Sequence, residues 1–297
     1  MLQDFILGID LGGTQVRAAI VDREGQILRR AARLTDVAGG PLAIVAQMLS
    51  LAAEVIGSDR ARVKAVGVSS PGPLDSDTGV VLELPTLPGW TNFPLRQTLA
   101  EKLQMPVTLE NDGIAAANGE WKFGAGRGLK HLVYVTVSTG IGGGVVVDNH
   151  LMRGRRGMAG HVGHMSIQEN GPLCGCGNPG CFEALASGTA FNKVAQSLGF
   201  ANAKAMTQAA RECDQKALAA VHREAIMLGW GFSSLLHLYS PEKLIVGGGV
   251  SSAFDLMLPI IKAEIQRRAM PAFRSVEIVV AELGDNAGLV GAASLAM

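Results

Sequence analysis

One pattern occurs twice in this chain. Residues 4–10 (DFILGID) and 16–22 (VRAAIVD) read as strands flanking the turn LGGT, and 131–152 (HLVYVTVSTGIGGGVVVDNHLM) repeats strand, Gly/Thr turn, strand, Asp and turn. Two such hairpins in separate halves imply a duplicated fold, with two phosphate-binding turns facing one cleft. In the first copy, Gly12 and Gly13 let backbone N–H groups approach an anion, and Thr14 adds a hydroxyl. Asp10, at the strand's end, suits a hydrated Mg2+. Alone, such a hairpin is more often a plain hairpin than a phosphate site. In the second copy Thr139, Gly140, Gly142 and Gly143 are placed to cradle phosphate oxygens. The 297 residues suit two domains, each with its own core.

Between and beyond the hairpins, strands alternate with amphipathic helices. Apolar spacing predicts helices over 41–57, 95–103, 184–198, 218–239 and 254–268, and strands over 64–68, 107–112, 243–250 and 275–283. The Pro/Gly-rich stretches SSPGPLDSDTG and LPTLPGW read as loops. Ser70, Gly72 and Pro73 either face a ligand or form a surface turn. Asn111 and Asp112 end a strand and begin a helix, a position that serves a general base or a helix N-cap. KLIVGGGV runs a strand into Gly247, Gly248 and Gly249, where backbone can lie flat against a purine or ribose. The closing GLVGAASLAM reads as a small-residue helix able to pack tightly on a neighbour.

Residues 157–183 hold three of the four cysteines. Cys174, Cys176 and Cys181, with His164 upstream, supply three thiolates and one imidazole, which suits a closed tetrahedral zinc site of structural type. The alternative is a Gly-rich loop with incidental thiols. Cys213 stands apart, with no role assigned. Composition sets the remaining bounds. Basic and acidic residues balance at 26 each, so net charge gives no hint of nucleic acid or an anionic membrane. Metal-bound rather than paired thiols fit a reducing compartment, and a cytoplasmic location is expected. The N-terminus lacks a basic region followed by a long apolar run, and no uninterrupted apolar run is long enough to span a membrane.

Together these motifs resemble the ROK family of sugar kinases and repressors, within the actin/hexokinase/Hsp70 ATPase superfamily. DLGGT (10–14) is similar to the family's first phosphate motif, STGIGGG (138–144) to its second, and GGG (247–249) to its adenosine motif. GHMSI through GCFEALASG, with CGCGNPGC, is similar to its zinc signature, and the resemblance covers nearly the whole chain. It implies an α/β chain with the two-domain actin-like ATPase (ribonuclease H-like) fold, an interdomain cleft that closes on substrate, and a structural zinc loop over 161–183. The expected N-terminal domain is 1–115, joined by the C-terminal helix 285–297, and the C-terminal domain is 116–284.

The resemblance further implies an ATP-dependent kinase that phosphorylates the 6-hydroxyl of a hexose, glucose first, with N-acetylmannosamine as the alternative. Asp112 is the implied catalytic base. Ser70, Gly72, Asn111, Asp112, His161, His164 and Glu183 are the implied sugar contacts. ATP is implied at Asp10, Gly12, Gly13, Thr14, Thr139, Gly140, Gly142, Gly143, Gly247, Gly248 and Gly249. Mg2+ is implied at Asp10 through water, and structural Zn2+ at His164, Cys174, Cys176 and Cys181. Partners are the sugar and ATP, with no nucleic acid or membrane, in a dimer or tetramer. Repressor members carry an N-terminal winged helix, and a first strand near residue 4 leaves no room for one, so the kinase branch is expected. A non-catalytic sugar sensor is the reading of another class, and intact Asp10, Asp112 and second turn speak against it. Two departures leave the substrate open. The family's Glu-x-Gly-His is here His161-Val162-Gly163-His164, and a frequent Asn near LPGW is Thr86. The form AGHVGH is similar to that of bacterial N-acetylmannosamine kinases.

Overall fold

The computed structural model describes residues 4–84 and 87–297, so Thr86 lies outside the described residues. The chain forms two compact units, one of Met1–Gly128, Leu151–Gly160 and Glu282–Met297, the other of Leu129–His150 and His161–Ala281.

In the first unit, β1 (Phe5–Leu11) and β2 (Gln15–Val21) make the expected hairpin, and β3 (Ile27–Leu34) continues the antiparallel meander. Helix α1 (Gly40–Ile56) follows, and β4 (Val63–Ser70) pairs parallel to β1. Strands β5 (Leu74–Asp75), β6 (Val80–Glu83) and β7 (Thr91–Phe93) form a small antiparallel sheet, β5 inside a stretch that reads as a loop and β6 and β7 with no counterpart in the sequence reading. Strands of two to four residues show no readable alternation. After α2 (Leu95–Leu103), β8 (Val107–Asn111) pairs parallel to β4 and runs into α3 (Asp112–Phe123). The sheet order is β3-β2-β1-β4-β8. Helix α1 is long and apolar enough by composition to cross a bilayer, yet its buried face, including Ile44, Met48, Leu51 and Val55, packs on β2 and β3.

The second unit repeats the plan. Strands β9 (Leu132–Val137) and β10 (Ile141–Val147) form the hairpin, with β11 (His150–Leu151) at the edge. Helices α4 (Phe182–Ala186), α5 (Gly188–Ser197), α6 (Ala203–Arg211) and α7 (Gln215–Tyr239) precede β12 (Lys243–Gly247), then α8 (Phe254–Arg268) and β13 (Glu277–Val280). The order is β11-β10-β9-β12-β13, with β12 parallel to both neighbours. The single helix expected over 184–198 is two, because Ser187 is extended (ψ 161°) and its hydroxyl accepts from the Ala190 amide at 3.2 Å as the N-cap of α5. Helix α6 has no counterpart in the sequence reading, and the strands near 243 and 275 are shorter than expected.

Helix α9 (Ala287–Ser294) returns to the first unit and lies on β1, β4 and α3. Its backbone comes so close that a Cβ at Gly67 would sit 1.7 Å from the Ala292 carbonyl oxygen, and one at Gly291 1.9 Å from that of Ala115. The small residues of the closing helix make this approach possible. The first unit therefore extends past residue 115 to take in all of α3, and it also takes in 151–160.

Within the second unit, α7 buries Glu224 (4% exposed) on the stripe of Val221, Ala225 and Leu228, and one carboxyl oxygen has no hydrogen-bond partner. Burial pushes this carboxyl up to about 8 from 4.5, and the Arg223 charge offsets only part of that. Between those two values the unfolded chain releases a proton that the folded chain keeps, so stability falls as pH rises through the window and levels off above it. Glu224→Gln is expected to raise the melting temperature at about pH 8, by an effect on the order of 1–3 kcal/mol, and to leave it nearly unchanged at about pH 4. Thermal melts across that range check it, and an offset independent of pH would contradict it.

Candidate active site

Strand register places the first unit's candidate residues. Asp10 of β1 is level with Ser69 of β4, and Ser70 is level with Asn111 of β8. All lie at the carboxyl ends of three parallel neighbours, where α/β sheets bind ligands. Asp10 is buried (4% exposed). The Ser69 hydroxyl donates to its Oδ1, the Arg17 guanidinium donates to Oδ2, and Arg17 Nη1 also donates to the Asp285 carbonyl at 2.7 Å. Neither Ser69 nor Arg17 is evident from sequence: Ser69 meets Asp10 through the pairing of β4 with β1, and Arg17 meets it through the register of the hairpin. A Cβ at Gly288 would lie 2.9–3.1 Å from the Asp10 carboxyl atoms, so glycine keeps that face clear. With both oxygens already accepting, Asp10 fits a hydrated cation better than a directly bound one.

The turn after β1 is held by the Gly12 amide donating to the Gln15 carbonyl at 2.9 Å and the Thr35 hydroxyl donating to the Gly12 carbonyl at 2.7 Å. Gly13 and Thr14 are exposed at its tip. Ser70 is buried, and its hydroxyl donates to the Pro71 carbonyl at 3.0 Å, while Gly72 is partly exposed in the following loop.

At the junction of β8 and α3 the two polar residues divide the work. Asn111 is the N-cap, its Oδ1 accepting from the amides of Gly113 (3.0 Å) and Ile114 (3.4 Å). Asp112 is thereby released from capping. Its Oδ1 accepts from the Gly113 amide at 2.8 Å, part of its surface stays open, and among the described residues no cation pairs with it. Burial in the surrounding protein, then the negative charge of Asp10, push its carboxyl up to about 6, against hydrogen bonds that pull it down. A carboxylate with that proton affinity is suited to accept a proton near neutrality.

In the second unit the turn after β9 is Ser138–Gly140. The Ser138 amide donates to the Gly140 carbonyl at 2.9 Å, and the Gly188 amide to the Ser138 carbonyl at 2.7 Å. Thr139 and Gly140 lie in the turn, but Gly142 and Gly143 are inside β10, paired with Thr136 and Val135. At Gly143 a Cβ would sit 2.5 Å from the Tyr134 carbonyl oxygen, so the strand contact alone requires glycine there. At the end of β12, a Cβ at Gly247 would meet the Tyr134 hydroxyl at 2.4 Å, and one at Gly248 (φ +86°) the Val137 carbonyl at 2.3 Å. Gly249 has open space beside it. The two turns therefore abut at neighbouring strand ends.

Glu183, on the first turn of α4, bridges two features of this unit. Its Oε2 accepts from the Ile141 amide at 2.9 Å, just beyond the turn, and its Oε1 lies 3.8 Å from Cys174 Sγ. A Cβ at Gly140 would strike Oε2 at 2.3 Å. Gly163 lays the single turn Val162–His164 flat on β10, its missing Cβ clearing the Ile141 carbonyl oxygen at 2.1 Å. His164 Nδ1 then lies 3.7 Å from Cys174 Sγ, Cys176 Sγ lies 3.6 Å from Cys181 Sγ, and the four ligand atoms all fall within 4.8 Å of one another. Zn–S bonds of about 2.3 Å and Zn–N bonds of about 2.0 Å give tetrahedral edges of roughly 3.5–3.8 Å; the His164–Cys174 and Cys176–Cys181 separations match these, so the donor set suits a tetrahedral metal ion after a small contraction of its longer edges. Burial pushes the Cys174 and Cys181 thiols up, Cys181 to about 12, whereas backbone donation pulls Cys176 down. Positive φ at Gly177 (+93°) and Gly180 (+70°) shapes the loop around the cluster. Only Nδ1 of His164 faces the thiols. His161, exposed and 6.1 Å from the His164 ring, is held toward the neutral form by burial and then by His164, with Glu183 opposing.

Comparison with known proteins bears on this geometry. The family model described as "ROK family" matches residues 6–297. The glucokinase of Thermotoga maritima is 37% identical over 98% of this chain and 96% of that protein. The N-acetylmannosamine kinase of Escherichia fergusonii is 34% identical over 98% of this chain and 97% of that protein. A ROK family glucokinase from Streptomyces griseus, crystallised in complex with glucose and AMPPNP, superposes with a TM-score of 0.86 at 35% identity, covering 98% of this chain and 99% of that one.

Proposed function

Because this chain belongs to the ROK family, we propose that it is an ATP-dependent hexose kinase, transferring the γ-phosphate to the 6-hydroxyl of glucose. The observation that carries the reading is Asp112, an uncapped carboxylate with its affinity raised to about 6, at the carboxyl end of the sheet that also presents Asp10. Asp112 accepts the proton of the sugar hydroxyl as that oxygen attacks phosphorus, and the side-chain Nδ2 of Asn111, not used in capping, donates to a neighbouring hydroxyl. Gly13, Thr14, Thr139 and Gly140 present backbone and hydroxyl donors to phosphate oxygens, and Gly247–Gly249 leave a flat face for the adenosine. Asp10 would hold Mg2+ through water, and the ion supplies charge neutralisation on the phosphates.

A structural zinc at His164, Cys174, Cys176 and Cys181 belongs to the same proposal. It would pin the loop that carries His161 and His164, leaving Nε2 of His164 for a sugar hydroxyl. N-acetylmannosamine is the second reading, favoured by one observation. A neutral His161 stands where the family's common pattern has a carboxylate, and imidazole can donate to an acetamido carbonyl.

An ADP-release assay with glucose, mannose, fructose, N-acetylglucosamine and N-acetylmannosamine is expected to show turnover fastest with glucose, and Asp112→Ala to lower kcat by about 10³-fold or more. No turnover with any of the five sugars would refute the kinase reading. Since the base works only when ionised, kcat/KM is expected to be flat above about pH 6 and to fall roughly tenfold per unit below it. A limb near pH 4 would mean that another group limits the rate. Metal analysis is expected to return one zinc per chain. Removal by a strong chelator, or Cys181→Ser, is expected to raise the sugar KM more than the ATP KM and to lower the melting temperature. A metal-free preparation with unchanged KM values rejects the zinc.

A further inference from the structure

A second buried carboxylate stands next to the candidate base and has no part in the chemistry above. Glu110, 1% exposed, precedes Asn111 on β8. Its Oε1 accepts from the Asn111 backbone amide at 2.9 Å, and its Oε2 accepts from Arg153 Nε at 2.7 Å. Arg153 comes from the segment Leu151–Gly160, which packs with the first unit although the chain on both sides belongs to the second. The segment is fastened twice more. Arg153 Nη2 donates to Ser76 Oγ at 2.9 Å, and Arg156 Nε donates to buried Asp75 at 2.8 Å. Gly157 (φ +74°) lets it lie against the same groups, since a Cβ there would fall 1.8 Å from Ser76 Oγ and 3.1 Å from Glu110 Oε1.

We propose that Arg153 is a positioning residue for the base, acting through Glu110. The path is short and directional. Arg153 holds the Glu110 carboxylate, Glu110 holds the Asn111 amide, and Asn111 is the cap that turns β8 into α3, which begins at Asp112. Without the guanidinium, Glu110 keeps a buried charge with one backbone donor. Such a charge relaxes by protonation, rotation or water entry, and each of these loosens the Asn111 amide. An error of about 1 Å at a reacting group costs on the order of 10² in rate. A long, half-exposed side chain from a remote segment is thus joined to a junction only a few atoms from the base.

The inference rests on the kinase reading for its kinetic effect, but its structural step is measurable without turnover. In Arg153→Ala, the Asn111 amide is expected to exchange its hydrogen at least tenfold faster than in the wild type, by NMR, with the rest of β8 unchanged. In the same variant kcat is expected to fall about 10- to 100-fold with the ATP KM unchanged, and to recover partly with added guanidinium or in Arg153→Lys. In a Glu110→Gln background, which removes the charge and keeps an acceptor for Asn111, adding Arg153→Ala is expected to cost less than about twofold. Arg156→Ala, which unfastens the same segment without touching Glu110, is expected to leave kcat within about twofold. Unchanged Asn111 exchange in Arg153→Ala overturns the proposal whatever the enzyme's substrate. Equal losses in Arg153→Ala and Arg156→Ala, or additive losses with Glu110→Gln, overturn it as well. A wild type that turns over no sugar, with the exchange effect present, counts against the kinase reading alone.

Discussion

Three carboxylates crowd the carboxyl edge of the first unit's sheet, and the way their charges are settled decides what each can do. Parallel pairing of β1, β4 and β8 puts Asp10 level with Ser69 and Ser69 level with Glu110, with Asp112 two residues further on. Two of the three have a guanidinium: Asp10 pairs with Arg17 and Glu110 with Arg153. Asp112 has none, and burial first, then the charge of Asp10, raises its proton affinity. In the proposed reaction the base is thus the carboxylate left without a guanidinium.

The same economy of backbone shapes both units. Each has a hairpin followed by parallel strands, and each places its functional turns at the strands' carboxyl ends. In the first unit α9 supports that end by lying directly on β1, β4 and α3, a contact possible only with glycine or alanine at the crossing points. A methyl group at Gly67 or Gly291 would separate elements that carry Asp10 and Asp112, so residues far from any ligand set where the carboxylates sit.

Much of this was legible in the residues, and the limit has a physical form. The Cys/His cluster was readable because its four residues lie close in sequence, and the fold brings their ligand atoms together. The hairpins were readable because strand–turn–strand is a short-range pattern. Arg17, Ser69, Glu110 and Arg153 were not, because each matters through a partner that only the folded register brings near. Which of Asn111 and Asp112 caps the helix could not be told from spacing, and the hydrogen bonds of Asn111 to Gly113 and Ile114 identify it as the cap. Gly142 and Gly143 read as part of a turn because they belong to a glycine run, but they lie inside β10, and at Gly143 a Cβ would strike the Tyr134 carbonyl oxygen. The break at Ser187 was hidden because apolar periodicity runs on through it.

Glu183 shows how the two features of the second unit are joined. One oxygen holds the Ile141 amide next to the turn, and the other faces the thiol of Cys174. Gly140 must be glycine because that carboxylate occupies the space of its Cβ. The loop around the Cys/His cluster and the turn at Ser138–Gly140 are therefore not independent. A cation held by the four ligands would draw the thiolates together and fix Cys174, and through Glu183 it would fix the amide at the start of β10. A cluster that looks like a local knot in the sequence is, in the fold, one end of a chain of contacts whose other end is the turn at Ser138–Gly140.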